Sequence, residues 1–175
     1  GLEPSALRTP TGTRDYRAAL HGRLSAYHPG PDGTTREVLP LDPGLARRLV
    51  LAYTGEPRHS GFSNWDMFRR FIEGNRTAVR RMEEIARVAR EMRAALRRGR
   101  LDDAGRLLGE EGRLRYSLAP SVATPTIRRI DAAARRAGAL GGKVCGGGGG
   151  GWVVAGAVGG AGGDRDLERV TIKVR

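Results

Sequence analysis

Cysteine occurs once in this 175-residue chain, at Cys145, and aromatic residues make up only 5% of it. A single thiol excludes an internal disulfide framework and suits a reducing, cytosolic compartment. So few rings leave little platform for stacking single-stranded bases. His21, His28 and His59 lie far apart and without metal-ligand spacing, so no metal site is expected from them. No apolar run approaches the length of a membrane span, and the charged start from Gly1 to Arg8 does not read as a signal peptide. No membrane partner is expected. Lysine is nearly absent: 29 of the 31 basic residues are arginine, in a chain of net charge +12. Arginine neutralises phosphates and so invites a nucleic-acid reading. These arginines are spread along the whole chain rather than clustered, which argues against sequence-specific nucleic-acid binding.

What the chain has in excess is glycine, 27 residues, six of them consecutive from Gly146 to Gly151. Such a run loses the most conformational entropy on ordering. It is either a flexible linker or bulge, or a loop whose backbone must come close to something and present N–H groups to it. Flexible linkers are usually serine-rich and polar. This run follows a helix-like segment and precedes the apolar residues Trp152 to Ala155, where an anion-cradling loop belongs. Both readings stay open on composition alone.

Along the chain, residues 15–26 suggest a short helix leading into a strand. Pro29-Gly30-Pro31-Asp32-Gly33 is a turn between extended segments, so a hairpin is expected. A short helix should start at Asp42, and Leu49 to Tyr53 reads as a buried-type strand. Ser63 is a plausible N-cap, with Trp65, Phe68, Phe71 and Ile72 marking one helical face. The longest helix should run from Thr77 to Arg98, with Val79, Met82, Ile85, Ala86, Ala89, Met92 and Leu96 inward and Arg80–Glu84, Glu83–Arg87 and Arg87–Glu91 paired outside. A further helix spans Leu101 to Leu118. Its Glu111 falls near the apolar side, either paired with an arginine such as Arg115 or facing a site; pairing is the commoner fate of such a carboxylate. Thr124 and Pro125 open a last helix, with Ile127, Ile130, Ala134 and Ala137 inward and Gly138 beyond its end. The glycine loop follows, then a strand from Trp152 to Ala157 and a final alternating strand from Val170 to Val174. This order predicts an α+β fold, helices packed on one side of a small antiparallel sheet.

Two features bear on chemistry. Gly12-Thr13-Arg14-Asp15 presents a carboxylate straight after a glycine turn, and the glycine loop presents backbone donors. Phosphoryl transfer uses such a pair: a carboxylate to orient or deprotonate the attacking hydroxyl, and donors to stabilise phosphoryl oxygens. By itself Asp15 would more often be a helix cap or a surface acid.

The chain resembles the second half of GHMP small-molecule kinases. The matching segments are Pro10 to Ala19, Gly30 to Gly33, Leu51-Ala52-Tyr53-Thr54-Gly55-Glu56-Pro57-Arg58-His59-Ser60-Gly61, Asn64-Trp65, Ala123-Thr124-Pro125 and Gly142 to Gly146. The tyrosine-threonine-glycine strand end with arginine and serine behind it is similar to the heptose 7-phosphate kinase branch. The resemblance implies a ferredoxin-like domain over residues 41–175, with residues 1–40 the tail of the ATP-binding half. It implies that Asp15 is the catalytic aspartate. It implies that Cys145, Gly146, Gly147, Gly148, Gly149, Gly150 and Gly151 border the substrate and phosphate region, with Gly12, Arg58 and Ser60 as substrate contacts. ATP and Mg²⁺ are implied as cofactors, and a sugar phosphate as acceptor.

Departures accompany it. Gly147 and Trp152 replace the alanine and the cysteine or other bulky apolar residue of the family loop, Arg14 stands where glutamine precedes the aspartate, and Arg23 replaces a second glycine. No proline-glycine-leucine-glycine-serine-serine phosphate loop occurs, and the first residue is not methionine. The expectation is a fragment or truncated product, inactive alone, that needs a chain supplying the other half. The alternative is a non-catalytic, kinase-derived binding or interaction module, prone to homodimerise through the face left exposed.

Overall fold

The structure, a computed structural model, describes residues 14–56, 60–146 and 148–157; at 14–16, 60–64, 66, 152 and 157 it describes the backbone alone. No described helix is long and apolar enough to cross a membrane. The elements form an α+β domain whose main layer is a three-stranded antiparallel sheet backed by helices.

Helix α1, Arg14–His21, leads into the hairpin of β1, Ser25–Gly30, and β2, Gly33–Val38, in the register Ser25↔Val38 to Gly30↔Gly33. The expected turn is therefore tight, two residues, with Gly33 at φ 121°. The Tyr27 hydroxyl donates to the Arg17 carbonyl, and Arg36 donates to the His21 and Gly22 carbonyls, fastening α1 to the hairpin. Glu37 pairs with Arg93 at 2.5 Å and Arg97 at 3.4 Å. These ion pairs hold the hairpin against the long helix.

Helix α2, Pro43–Arg47, starts where Asp42 accepts a hydrogen bond from Gly44 N–H at 2.6 Å, with proline in its first turn. Strand β3, Leu49–Tyr53, follows, but it is not a buried strand. Val50 and Ala52 are half-buried, while Leu49, Leu51 and Tyr53 are 42–61% exposed. Successive side chains of a strand point to opposite faces. An unbroken apolar run cannot report that only one of them is covered.

Helix α3, Ser60–Ile72, begins three residues before the expected cap at Ser63. The sequence marked a helical face here without saying what covers it: Trp65, Phe68, Phe71 and Ile72 are exposed, and the helix is anchored by Met67, which clusters with Ala78 and Leu118. Gly74 at φ 72° and the Asn75 cap on Ala78 N–H start α4, Arg76–Arg97. Its buried residues are Ala78, Val88 and Ala95, with Met82 and Ile85 packed beside the Met67 cluster. Ala86 and Ala89 face solvent instead. In a helix of arginine and alanine, alanine fits either face, so spacing alone sets the stripe poorly. Of the expected pairs Arg87–Glu91 forms, while Glu84 takes Arg81 in place of Arg80.

Helix α5, Leu101–Leu118, buries Ala104, Leu114 and Leu118 as its spacing predicts, and also Gly105, Gly109 and Gly112. A 3₁₀ turn at Pro120–Val122 leads to α6, Pro125–Arg136, capped by Thr124. Ile127 and Ile130 are its fully buried anchors; Ala137, expected inward, is exposed at the C-cap. Strand β4, Ala139–Val144, comes next and was not expected. Its Gly141-Gly142 pair carries no β-branched signal. Strand β5, Trp152–Ala157, lies between β3 and β4. The glycine run is therefore the connection of the β4–β5 hairpin, not a helix-to-strand loop. The main core joins Val144 and Val153 of this hairpin to Ile127, Ile130 and the turn residues Ala119, Val122 and Ala123. The expected strand at Val170–Val174 lies outside the described residues.

Candidate functional site

The glycine loop is built from its own conformation outward. Gly146, Gly148, Gly149, Gly150 and Gly151 all have φ between 68° and 136°, backbone that a side chain disfavours. Gly148 is also wedged on the 3₁₀ turn. A Cβ there would overlap the Val122 side chain and stand 2.8 Å from the Val122 carbonyl oxygen. The Gly149 N–H donates to that same carbonyl at 3.0 Å. The Gly151 N–H donates to the Glu56 carbonyl at 3.0 Å, and its own carbonyl accepts from Thr54 N–H at 2.8 Å. Two of the loop's amides thus serve the protein itself rather than an anion.

Glu56 is the second piece. Its carboxylate accepts from Thr124 Oγ1 at 3.1 Å and from Thr126 Oγ1 at 2.7 Å, in the first turn of α6. An acid suits a helix N-terminus. Its N–H donates to Thr54 Oγ1 at 3.2 Å. One residue therefore touches the β3 exit, the α6 start and the closing end of the glycine loop.

The stem of the loop carries buried charge. Lys143 Nζ stands 2.7 Å from Glu111 Oε2, and Arg115 Nε donates to Glu111 Oε1 at 2.9 Å. These side chains are only 10–19% exposed. Burial works against the Glu111 charge, but Lys143 and Arg115 outweigh it and hold the carboxyl below its usual range. The paired reading of Glu111 is the one the structure bears out, with Lys143 as a partner its sequence spacing did not suggest. Beside it, burial pushes the Tyr116 hydroxyl up to about 12, with the Asp131 charge adding to the effect.

Of the residues singled out in the sequence, Cys145, half-buried, and the glycines 146 and 148–151 lie together in the hairpin connection. Asp15 is the second residue of α1, an element whose described contacts run to the β1–β2 hairpin, and Ser60 is the first of α3. Gly12, Arg58 and Gly147 lie outside the described residues, as do the side chains of Asp15 and Ser60. Glu56, Thr124 and Thr126 were missed as site residues. The available signal was a carboxylate just behind a strand end, and a Thr-Pro-Thr helix start with hydroxyl donors to spare.

Among the described residues no three His, Cys, Asp or Glu side chains converge on one point. The Gly149 and Gly151 amides are committed to protein carbonyls and do not point at an anion in this arrangement.

The family model described as the C-terminal part of GHMP kinases matches residues 92–162, from within α4 past the end of β5. Among solved structures, the chain is similar to L. major mevalonate kinase in complex with R-mevalonate. The TM-score is 0.70 at 24% identity, over 84% of this chain and 45% of that one. It is also similar to Lactococcus lactis galactokinase complexed with galactose, at TM-score 0.65 and 21% identity, over 89% of this chain and 48% of that one. No curated protein matches the chain. The fold is thus the α+β fold of a GHMP kinase C-terminal domain. The chain spans about half the length of each of the two kinases it is compared with here.

Proposed function

We propose that this chain is part of a GHMP-type small-molecule kinase that phosphorylates a hydroxyl of a sugar, with a heptose 7-phosphate-like molecule as acceptor. The observation that carries the reading is the positive-φ backbone of Gly146 and Gly148 to Gly151, lying inside the segment that matches the GHMP kinase family. The fold shared with a mevalonate kinase and a galactokinase supports the reaction class. The heptose preference rests on the Tyr53-Thr54-Gly55 strand end with Arg58 and Ser60 behind it.

In this reading residues 1–40 end the ATP-binding half and residues 41–175 form the acceptor-side domain. Asp15 orients the acceptor hydroxyl and takes its proton as the oxygen attacks. The glycine loop shapes the acceptor pocket, and Gly12, Arg58 and Ser60 contact the sugar phosphate. ATP supplies the γ-phosphoryl group and Mg²⁺ screens its charge; the residues that hold them belong to a polypeptide segment carrying the phosphate loop, in a partner chain or elsewhere in the same protein. A cytoplasmic enzyme follows from this substrate class.

Separate calorimetric titrations with heptose 7-phosphate and with MgATP test the reading. Sugar-phosphate binding without nucleotide binding is the expected result. Silence for both would overturn the acceptor assignment. With the phosphate-loop segment supplied, Asp15→Asn should lower turnover by about 10²-fold or more, as loss of a general base does. Unchanged turnover in that variant removes Asp15 from its role.

A second reading, a non-catalytic interaction module, is favoured by one observation: Leu51, Trp65 and Ile72 are 57–76% exposed. A chain that is monomeric by sedimentation would speak against it.

A further inference from the structure

We propose that Glu56 is a positioning residue that locks the glycine loop in its shape. It depends on the kinase reading above only for what the loop is for; the lock itself stands on geometry. Three separate pieces of chain meet at this residue. Its carboxylate is held by Thr124 at 3.1 Å and Thr126 at 2.7 Å, so the side chain is pinned to the α6 start. Its carbonyl accepts from Gly151 N–H at 3.0 Å, so the same residue holds the loop's last glycine. Thr54 closes the ring, donating its N–H to the Gly151 carbonyl at 2.8 Å while its hydroxyl accepts from Glu56 N–H at 3.2 Å.

A run of glycines has many competing conformations, and ordering it needs partners outside the run. Among the described residues three bonds tie the loop to chain outside it: Val122 holds Gly149, and Glu56 and Thr54 hold Gly151. Val122 sits in a turn packed into the core at 3% exposure. The Glu56 anchor is different: the turn after β3 is buried only at Thr54, at 7% exposure, while Gly55 is exposed and Glu56 half-buried. Its backbone is held locally by Thr54, whose hydroxyl accepts from Glu56 N–H at 3.2 Å and reaches the Glu56 carbonyl at 3.4 Å, and the carboxylate ties this turn to α6. Without that carboxylate only the Thr54 bonds hold the Glu56 carbonyl, and the Gly151 bond should open more often.

Amide hydrogen exchange of the full chain tests this without reference to activity. Glu56→Ala should speed exchange at Gly151 by about tenfold or more while leaving Val144 and Val153 in the paired strands unchanged, since local opening is independent of global unfolding. Glu56→Gln keeps a carbonyl acceptor and an amide that the threonine hydroxyls can accept from, and should restore most of the protection. Thr126→Val removes one of the two carboxylate bonds, together with the 3.3 Å bond that Arg129 donates to the Thr126 hydroxyl, while leaving the Thr124 cap in place, and should give a smaller acceleration in the same place. The idea is overturned if Glu56→Ala leaves Gly151 exchange within about twofold of the parent. It is equally overturned if the Gln variant loosens the loop as much as the Ala variant. Should Glu56→Ala fail to fold, Thr126→Val decides: acceleration confined to Gly151 supports the lock, and none refutes it. A chain that binds no sugar phosphate yet shows this pattern would overturn the acceptor assignment and leave the lock standing.

Discussion

Glycine is used in two opposed ways in this molecule, in the α5–β4 contact and in the loop that follows it. In the contact, Gly109 and Gly141 have no positive φ; what matters is the missing Cβ. A Cβ on Gly109 would lie 2.8 Å from Gly141 Cα, and one on Gly112 would lie 2.5 Å from the Gly142 carbonyl oxygen. Helix and strand backbones touch there. In the loop, all five described glycines take positive φ and the backbone turns back between β4 and β5. The first use makes a close contact and the second a chain reversal. Neither is a linker, and a count of glycines distinguishes none of the three.

The largest way to break the comparison is Gly141→Ala. The added methyl meets only backbone: the Gly105 carbonyl oxygen, Gly109 N at 2.5 Å and Gly109 Cα at 2.6 Å. No side chain can rotate away, so α5 must lift off the strand. Overpacking of this kind costs about 3 kcal/mol, read as a fall in the denaturant midpoint. A loss under about 1 kcal/mol would mean that the helix-to-strand contact is softer than its spacing suggests.

Gly148→Ala sharpens the comparison when set beside Gly74→Ala. Both residues have nearly the same backbone, φ 76° and φ 72°, but a Cβ on Gly74 meets nothing within 4 Å. Gly74→Ala therefore reports the backbone cost alone, about 1 kcal/mol. Gly148→Ala adds the overlap with Val122 and should cost about 2 kcal/mol or more. Since part of that overlap is with the Val122 side chain, Val122→Ala in the same chain should return some of it, a non-additivity measurable in a double-mutant cycle. Equal losses at Gly74 and Gly148 would show that the loop needs glycine for its turn only.

How far this was legible in sequence follows from which signals were local. Pro125 after Thr124, Gly99 between α4 and α5, and Asp42 before Pro43 are caps and stops whose chemistry acts within a turn, and all three read correctly. Strand β4 was missed because Gly141 and Gly142 satisfy a partner 30 residues away in sequence, not a local strand preference. Trp65, Phe68 and Ile72 marked a helical face in the sequence but are exposed, because apolar spacing reports a face, not what covers it. At the site, the glycine run stood out by composition, whereas Glu56 did not. Its role comes from Thr124 and Thr126, 68 and 70 residues further on.

The smallest effect concerns Lys143, which belongs to both regions: Gly112 lets α5 come close to it, and the loop begins three residues later. Its partner Glu111 has a carboxyl held below the usual range, so the folded state binds that proton less readily than the unfolded chain does. The stability this contributes is fully present above the ordinary carboxylate value of about 4.3 and is lost as pH falls through the lower folded value. Glu111→Gln removes this titration, so the parent should lose stability more steeply than the variant across that acid window. The denaturant midpoint against pH measures it. At neutral pH the same variant leaves Lys143 and Arg115 partly buried beside a neutral acceptor, and its midpoint should already lie below that of the parent. The two curves should therefore converge on acidification. Parallel curves would mean that Glu111 keeps its ordinary proton affinity, and that close glycine packing alone holds the stem of the loop.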